Sequence, residues 1–267
     1  MCYRLVDVGA NGTPLLREVA ATYILTMEDT ERVVDVEAAK LLTGRTVLQV
    51  NKGFKNCNKP GVTKANQDIS HAYRNLARTI LATTTYERIL ILEDDFIVEN
   101  KDPACYREID EFLAQNRSDV YTLGSIGFHL PIGSHHKFPW GMIMCHACIW
   151  SRKALASVAE IDCTAVGQLD FDVLSPMRNK YGYKRPLITQ TFPDTENFHM
   201  WPTIGKWSMR CLRSWFNINE RPQPGWDAIY LTTGPVAFAV LVLIVLVALA
   251  VVLRIVNRKR LTPGSQS

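Results

Sequence analysis

The chain lacks an excess of charge of either sign over most of its length. Its 267 residues contain 30 Lys and Arg against 26 Asp and Glu. Residues 254–267 hold four of the bases and no acid, so residues 1–253 carry 26 charges of each sign. A protein that binds duplex nucleic acid neutralises phosphates with clustered Lys and Arg. Nucleic acid is therefore excluded as an expected partner.

Regularly spaced cysteines are also lacking. The seven cysteines are scattered between residues 2 and 211, whereas small secreted proteins that depend on disulfides carry dense, even-numbered sets. We therefore expect buried thiols in a reduced compartment. One close pair, Cys145 and Cys148, could have a thioredoxin-like redox role. In that case the pair would follow a strand and begin a helix. In an extended segment the two thiols would point to opposite faces.

Charge is absent altogether between Asp227 and Arg254. Within this gap, residues 235–253 consist of Val, Leu, Ala, Ile, one Phe and a leading Pro. A helix of this length approaches the ~30 Å thickness of the hydrocarbon layer, and it would be apolar on every side. We expect a single transmembrane helix over residues 235–253, a membrane-proximal segment over 206–234 and a basic tail over 254–267.

The side of the membrane on which the rest of the chain lies stays open. Residues 1–30 carry charges at intervals and no clean apolar stretch, so no signal peptide is expected and the domain would be cytosolic. The bases that follow the apolar run would, by the cation bias of cytoplasmic flanks, place the domain on the opposite side.

The remaining sequence alternates strand-like with helix-like segments and contains no internal repeat. Apolar or β-rich runs occupy residues 21–27, 46–50, 89–92 and 119–123, with helical spacing over residues 33–42, 67–83 and from about 102. The run at 89–92 is apolar throughout, which is typical of a strand covered on both faces of a parallel sheet. We expect a Rossmann-like α/β domain over residues 21–205, with a mostly parallel sheet flanked by helices. Residues 1–20 would be an N-terminal extension.

Three consecutive acids, Glu93, Asp94 and Asp95, end the most apolar of these strands. Open α/β sheets bind ligands at the carboxyl ends of their strands. Carboxylate oxygens suit Mg²⁺ or Mn²⁺, and such an ion can bridge a diphosphate and neutralise a departing nucleoside diphosphate. The alternative is a solvated acidic turn.

Several motifs occur in order along residues 22–190. The most telling are Leu90-Ile-Leu-Glu-Asp-Asp95, Asp119-Val-Tyr-Thr-Leu-Gly124 and His146-Ala-Cys-Ile-Trp-Ser-Arg-Lys-Ala154. Together they resemble glycosyltransferase family 25, the group of lipopolysaccharide and procollagen galactosyltransferases. The resemblance implies a GT-A fold that transfers a sugar, typically galactose from UDP-galactose, with inversion and with a divalent metal.

The same resemblance implies roles for individual residues. Asp94 and Asp95 fall on the motif that binds the metal and the diphosphate, with Glu93 beside them. Thr26 and Arg32 fall where the first strand and helix of the family meet the nucleotide.

Inversion also needs a base that takes the proton of the acceptor hydroxyl. Asp170 and Asp172 are the candidates, because a spacing of two puts both on one face of an extended segment. The pair is also a literal Asp-x-Asp, so it could itself be the metal site, or it could belong to a surface turn or helix cap. His146 could ligate the metal from across the site or form hydrogen bonds within the core.

The sequence thus predicts a membrane-anchored glycosyltransferase that depends on Mn²⁺ or Mg²⁺. It would move galactose or glucose from a UDP-sugar donor to a hydroxyl of a glycan, a lipid-linked sugar or a protein. Two alternatives remain: an inactive transferase-like binding module at a membrane, and a membrane-tethered thiol oxidoreductase that uses Cys145 and Cys148.

Overall fold

A computed structural model describes residues 1–191, 196–199, 203–218 and 223–261. In it, strands and helices alternate along the first half of the chain, as the sequence predicts for an α/β protein. The strands are β1 (Tyr3–Gly9), β2 (Ala21–Met27), β3 (Thr46–Asn51), β4 (Arg88–Glu93), β5 (Phe96–Val98), β6 (Val120–Ile132), β7 (His136–Ser151), β8 (Lys180–Tyr183) and β9 (Ile188–Gln190). The helices are α1 (Val36–Ala39), α2 (Gly53–Asn56), α3 (Ala65–Thr83), α4 (Pro103–Gln115), α5 (Arg152–Ala159), a π-helix (Asp170–Leu174), α6 (Glu196–His199), α7 (Thr203–Phe216) and α8 (Pro224–Leu261).

Seven strands form one mixed sheet in the order β1-β3-β2-β4-β7-β6-β8, and β5 and β9 pair separately. β2 is parallel to β3 and to β4, and β6 is parallel to β8. β7, however, is antiparallel to both β4 and β6, and β1 is antiparallel to β3. The prediction of a mostly parallel sheet is therefore wrong. The sheet is mixed because β7 follows β6 through a hairpin and not through a crossover helix, so β7 runs antiparallel to the strands on both of its sides.

The apolar character of β4 follows from helices on both of its faces. Ile89 and Ile91 point into a core cluster that contains residues of α3 and α5, whereas Leu90 and Leu92 point into a cluster that contains residues of α4. Successive side chains of a strand alternate between faces, so both sets must be apolar when both faces are covered. The sequence-based prediction that this strand is buried on both sides is confirmed.

α3 begins and ends close to its predicted limits, and α4 begins close to its predicted start. α3 spans Ala65–Thr83, against a prediction of 67–83. α4 begins at Pro103, where the missing N–H costs nothing, and the Asp102 side chain accepts a hydrogen bond from the Ala104 amide at 2.9 Å. The helix predicted over residues 33–42 shortens to α1, which Asp35 caps.

The first residues of the chain belong to the sheet. β1 pairs with β3, Leu5 opposite Gln49. Cys2 forms a disulfide with Cys57, with the two Cα atoms 5.6 Å apart. This bond corrects the expectation that the cysteines are reduced thiols; the free ones are Cys105, Cys145, Cys148, Cys163 and Cys211. The division into an extension over 1–20 and a domain over 21–205 stays a prediction.

The C-terminal helix corrects the prediction of a membrane span. The first turns of α8 pack on the protein, with Trp226 and Ile229 buried against Ile126 and Ile218. A span needs roughly 20 consecutive, mainly apolar residues in one helix. In the described part of the chain no helix is long and apolar enough to cross a membrane. Neither the transmembrane helix over 235–253 nor a single-pass C-terminal anchor is supported.

Candidate functional site

A cavity of about 580 Å³ opens at the carboxyl ends of the parallel strands β2, β3 and β4. Ligands bind at this edge in open α/β sheets because the loops that follow the strands converge there. The antiparallel strand β7, the start of the π-helix, and helices α6 and α7 also contribute lining residues. Six of the eight residues predicted from the sequence line this one cavity: Thr26, Arg32, Glu93, Asp94, Asp95 and Asp170.

Arg32 and Thr26 both hold the carboxylate of Asp94. The Arg32 guanidinium forms an ion pair with Asp94 Oδ1, and Thr26 Oγ1 donates a hydrogen bond to Asp94 Oδ2 at 3.4 Å. The side chain of Asp94 is 5% exposed and that of Arg32 is 31% exposed. Burial raises the pKa of Asp94, and the adjacent Arg32 opposes that rise. Both oxygens of Asp94 are therefore engaged by protein groups.

Asp95 differs from Asp94 because one of its oxygens is unsatisfied. Its Oδ1 atom is buried and has no hydrogen-bond partner among the described residues. Burial and the charge on Asp94 raise the pKa of Asp95, Arg32 opposes them, and the net result is a pKa of about 7. A buried acceptor without a partner costs about 1–3 kcal/mol, more for a charged group. Such an atom indicates a ligand that is a cation or a hydrogen-bond donor.

Glu93 adds a further carboxyl group to the same wall. Tyr73 Oη donates a hydrogen bond to Glu93 Oε1 at 3.3 Å. Burial, together with the charges of Asp95, Asp170 and Asp94, raises the pKa of Glu93 to about 8. The charges of the three aspartates thus disfavour ionisation of Glu93, and a bound cation would relieve this repulsion.

Only the first of the two predicted base candidates reaches the cavity. Asp170 Oδ2 accepts a hydrogen bond from the Met144 amide at 2.7 Å, and burial raises the pKa of its carboxyl group. Asp172 is exposed, and its Oδ2 accepts from the amides of Gly167 at 2.6 Å and Gln168 at 2.9 Å. The two do not share a face because their segment is a π-helix and not a strand.

His146 is not brought to the acidic wall. It is buried in β7 outside the cavity lining, with Nδ1 at 2.7 Å from the Met144 carbonyl oxygen and Nε2 at 3.1 Å from that of Ile188. Burial lowers the pKa of His146 to about 4, so the ring is neutral near pH 7. Each ring nitrogen faces a main-chain carbonyl and not the cavity, so we leave His146 out of the site proposed below.

The carboxylates do not form a complete metal cage by themselves. In the described part of the chain, no group of three or more His, Cys, Asp or Glu side chains is arranged to hold a metal ion. Mg²⁺ commonly binds through one or two carboxylates, with substrate phosphates and waters completing the coordination. The unpartnered Oδ1 of Asp95, beside Asp94, fits that incomplete type of site.

The thiol pair does not have the surroundings of a reactive cysteine. Cys145 and Cys148 are both buried in the same core cluster, so the expectation that they face opposite sides of a regular strand is wrong. Met144, with a φ of 60°, interrupts the regular strand just before them. Burial raises the pKa of Cys145 well above its ordinary value. A protonated, buried thiol is a poor nucleophile.

Sequence reasoning missed several residues of the cavity. Asn51 ends β3 at the same edge, and its Oδ1 accepts from Lys59 Nζ at 2.5 Å and from the Gly53 amide at 2.9 Å. Its position at a strand's carboxyl end was a usable signal. Phe198, Met209 and Arg213 come from α6 and α7, and no local pattern indicates that these helices fold over the sheet edge.

Comparison with known proteins gives weak structural likenesses. No protein-family model and no curated protein sequence matches the chain. It is similar to A197 from STIV, with a TM-score of 0.43 and 11% identity over 67% of this chain and 87% of that one. It is also similar to HddC from Yersinia pseudotuberculosis, with a TM-score of 0.35 and 12% identity over 60% of this chain and 68% of that one. For HddC complexed with GMP-PN, the TM-score is 0.33 and the identity is 11%, over 58% of this chain and 65% of that one. At these scores the likeness assigns neither a family nor a function to this chain.

Proposed function

We propose that this protein is a glycosyltransferase related to family 25, and that its cavity binds the diphosphate of a UDP-sugar with Mn²⁺ or Mg²⁺. The observation that carries the proposal is the convergence of Glu93, Asp94 and Asp95 with Arg32 at the carboxyl edge of the sheet. Of the motifs that resemble the family, Leu90-Ile-Leu-Glu-Asp-Asp95 ends at this same wall. The bound ion would act as a Lewis acid that neutralises the leaving nucleoside diphosphate.

Each residue of the acidic wall has a separate role in binding the donor. Asp95 supplies the free carboxylate oxygen for the ion, and Asp94 is kept beside it by Arg32 and Thr26. A guanidinium carries five N–H donors, so Arg32 can pair with Asp94 and still donate to a phosphate oxygen. The hydroxyl of Thr26 lies at the end of β2, where it fixes the position of Asp94.

Asp170 is the better of the two candidates for the base. It lines the cavity, whereas Asp172 is exposed and caps the turn at residues 167–168. Burial raises the pKa of Asp170, which strengthens its carboxylate as a proton acceptor. The Met144 amide holds one oxygen at 2.7 Å and so orients the other. In an inverting transfer, Asp170 takes the proton of the acceptor hydroxyl as that oxygen attacks the sugar carbon and UDP leaves.

Calorimetric titration of the purified protein with UDP, with and without Mn²⁺, tests the proposal. We expect Mn²⁺-dependent binding that weakens by about tenfold or more in Asp95→Asn, since even the loss of an outer partner of a metal ligand costs about that much. The matched control is Asp7→Asn, which removes an exposed carboxylate at the far edge of the sheet. Equal, Mn²⁺-independent affinities in all three proteins would contradict the proposal.

Transfer activity separates the enzyme from its main alternative. The second measurement is Mn²⁺-dependent release of UDP from UDP-galactose and UDP-glucose in the presence of acceptors. Binding of UDP and Mn²⁺ without turnover of any donor would identify an inactive, transferase-like binding module.

A further inference from the structure

The wall of the cavity around Asp170 is apolar. Met144 donates its amide to Asp170, and Phe171 is the next residue along the π-helix. Ile143 precedes Met144 on β7, and all three apolar side chains line the cavity. A hydroxyl group that delivers its proton to Asp170 must therefore lie beside Met144 and Phe171.

Two helices extend this apolar surface. Phe198 of α6 and Met209 of α7 line the same cavity and are almost fully buried. The guanidinium of Arg213 lies over the Phe198 ring at 5.2 Å from its centroid, an arrangement that holds the ring by cation–π attraction. α7 therefore contributes Met209 to the apolar wall, although the sequence placed most of this helix in a membrane-proximal segment.

Phe171 is the exposed part of this surface. Its side chain lines the cavity and yet is 59% exposed. Because Phe171 shares the cavity with Ile143, Met144, Phe198 and Met209, it extends an apolar surface of the kind that lines ligand-binding pockets. Burying such a ring against an apolar group is worth on the order of 1.5–3 kcal/mol.

We infer that the acceptor is an amphiphilic glycoside, which carries an apolar group next to the sugar whose hydroxyl reacts. The inference rests on the proposed function, because it takes Asp170 as the base. The sugar hydroxyl lies at Asp170, and the apolar group lies along Phe171, Met144 and the side chains of α6 and α7. Free sugars and strongly hydrophilic peptides have no apolar group that could pack against these side chains.

Paired acceptors test the inference. Octyl and methyl β-galactosides, and the corresponding glucosides, offer the same hydroxyls with and without an apolar group, and the octyl compounds are used below their micelle-forming concentrations. With UDP and Mn²⁺ present, calorimetry on the wild type is expected to show binding about tenfold tighter for the octyl compound. In Phe171→Ala the ratio should fall to about threefold or less. Trp140→Ala is the matched control, because Trp140 is 57% exposed and does not line the cavity.

Three outcomes are informative. Equal binding of octyl and methyl glycosides by the wild type overturns the inference while leaving Mn²⁺-dependent UDP binding, and hence the proposed function, intact. Loss of UDP binding in Phe171→Ala also overturns it, because the apolar wall would then serve the donor. An octyl preference that survives in Trp140→Ala and is lost in Phe171→Ala supports it.

Discussion

His146 provides a test of the site that uses stability and not activity. The ring is buried between the carbonyl oxygens of Met144 and Ile188. Burial lowers the pKa of His146 from its ordinary 6.5 to about 4, and hydrogen bonds to these carbonyls and to Gln190 oppose the shift. No charged side chain contributes to this shift. The neutral ring is therefore the form that the folded protein prefers.

The sign and size of the effect follow from proton linkage. A base whose pKa is lower in the folded state stabilises the protein fully above pH 6.5 and loses that contribution as the pH falls towards 4. At about 1.4 kcal/mol for each tenfold change in proton affinity, lowering the pKa from 6.5 to about 4 corresponds to between about 3 and 4 kcal/mol in full, of which about 3 kcal/mol is lost between pH 7 and pH 4. His129 and His136 also have pKa values lowered to about 4 by burial, so the wild type alone would not isolate the contribution of His146.

The variant His146→Gln isolates the contribution of His146 to the pH dependence of stability. Glutamine does not titrate, and its amide can still donate to a carbonyl oxygen, while the other histidines remain in both proteins and cancel in the difference. Urea unfolding of both proteins at pH 7 and at steps down to pH 4 gives the two free energies of unfolding. The advantage of the wild type over the variant should shrink by about 3 kcal/mol across this range. Parallel curves would refute the assigned burial and neutrality of the ring.

The same variant also tests the metal assignment. Since both ring nitrogens face main-chain carbonyls, Mn²⁺-dependent UDP binding at pH 7 should be unchanged in His146→Gln. A loss of tenfold or more would restore His146 as a metal ligand, as the sequence had suggested.

Two further predictions concern the backbone. The Cys2–Cys57 disulfide closes a loop with a sequence separation of 55. On the loop-entropy model, Cys2→Ser should therefore lower the free energy of unfolding, measured with urea, by about 4 kcal/mol. A variant as stable as the wild type would contradict the pairing. Met144 has a φ of 60°, a conformation that costs a non-glycine residue about 1–2 kcal/mol. Met144→Gly should therefore be about 1 kcal/mol more stable than Met144→Ala in the same assay, and the reverse order, usual in strands, would refute the left-handed backbone at this position.

The central strand and its acidic end could be predicted because the signal is local. β4 is apolar on both faces since α3 and α5 cover one face and α4 covers the other. The acids that follow it are the first residues to leave the core. Parallel strands bring their carboxyl ends to one edge, so the neighbours of Glu93 there, such as Thr26 at the end of β2, follow from topology.

The direction of β7 could not be obtained in the same way. A strand buried at the centre of a sheet has the same apolar composition whether its neighbour is parallel or antiparallel. The information lies in the connection: β6 ends at Ile132 and β7 begins at His136, with Gly133 at a φ of 68° between them. A short turn with a glycine at positive φ is a hairpin signal, and it forces the antiparallel pairing that makes the sheet mixed.

The two aspartates of residues 170–172 show that the local backbone conformation decides whether two carboxylates with this spacing point to the same side. In a strand, Asp170 and Asp172 would point to the same side and could hold one ion together. In the π-helix, as in any helix, residues two apart face away from each other. Asp170 therefore enters the cavity while Asp172 turns outward to the amides of Gly167 and Gln168. The two carboxylates are thus not arranged to chelate one cation together. The cation of the proposed function therefore stays assigned to the acids that end β4.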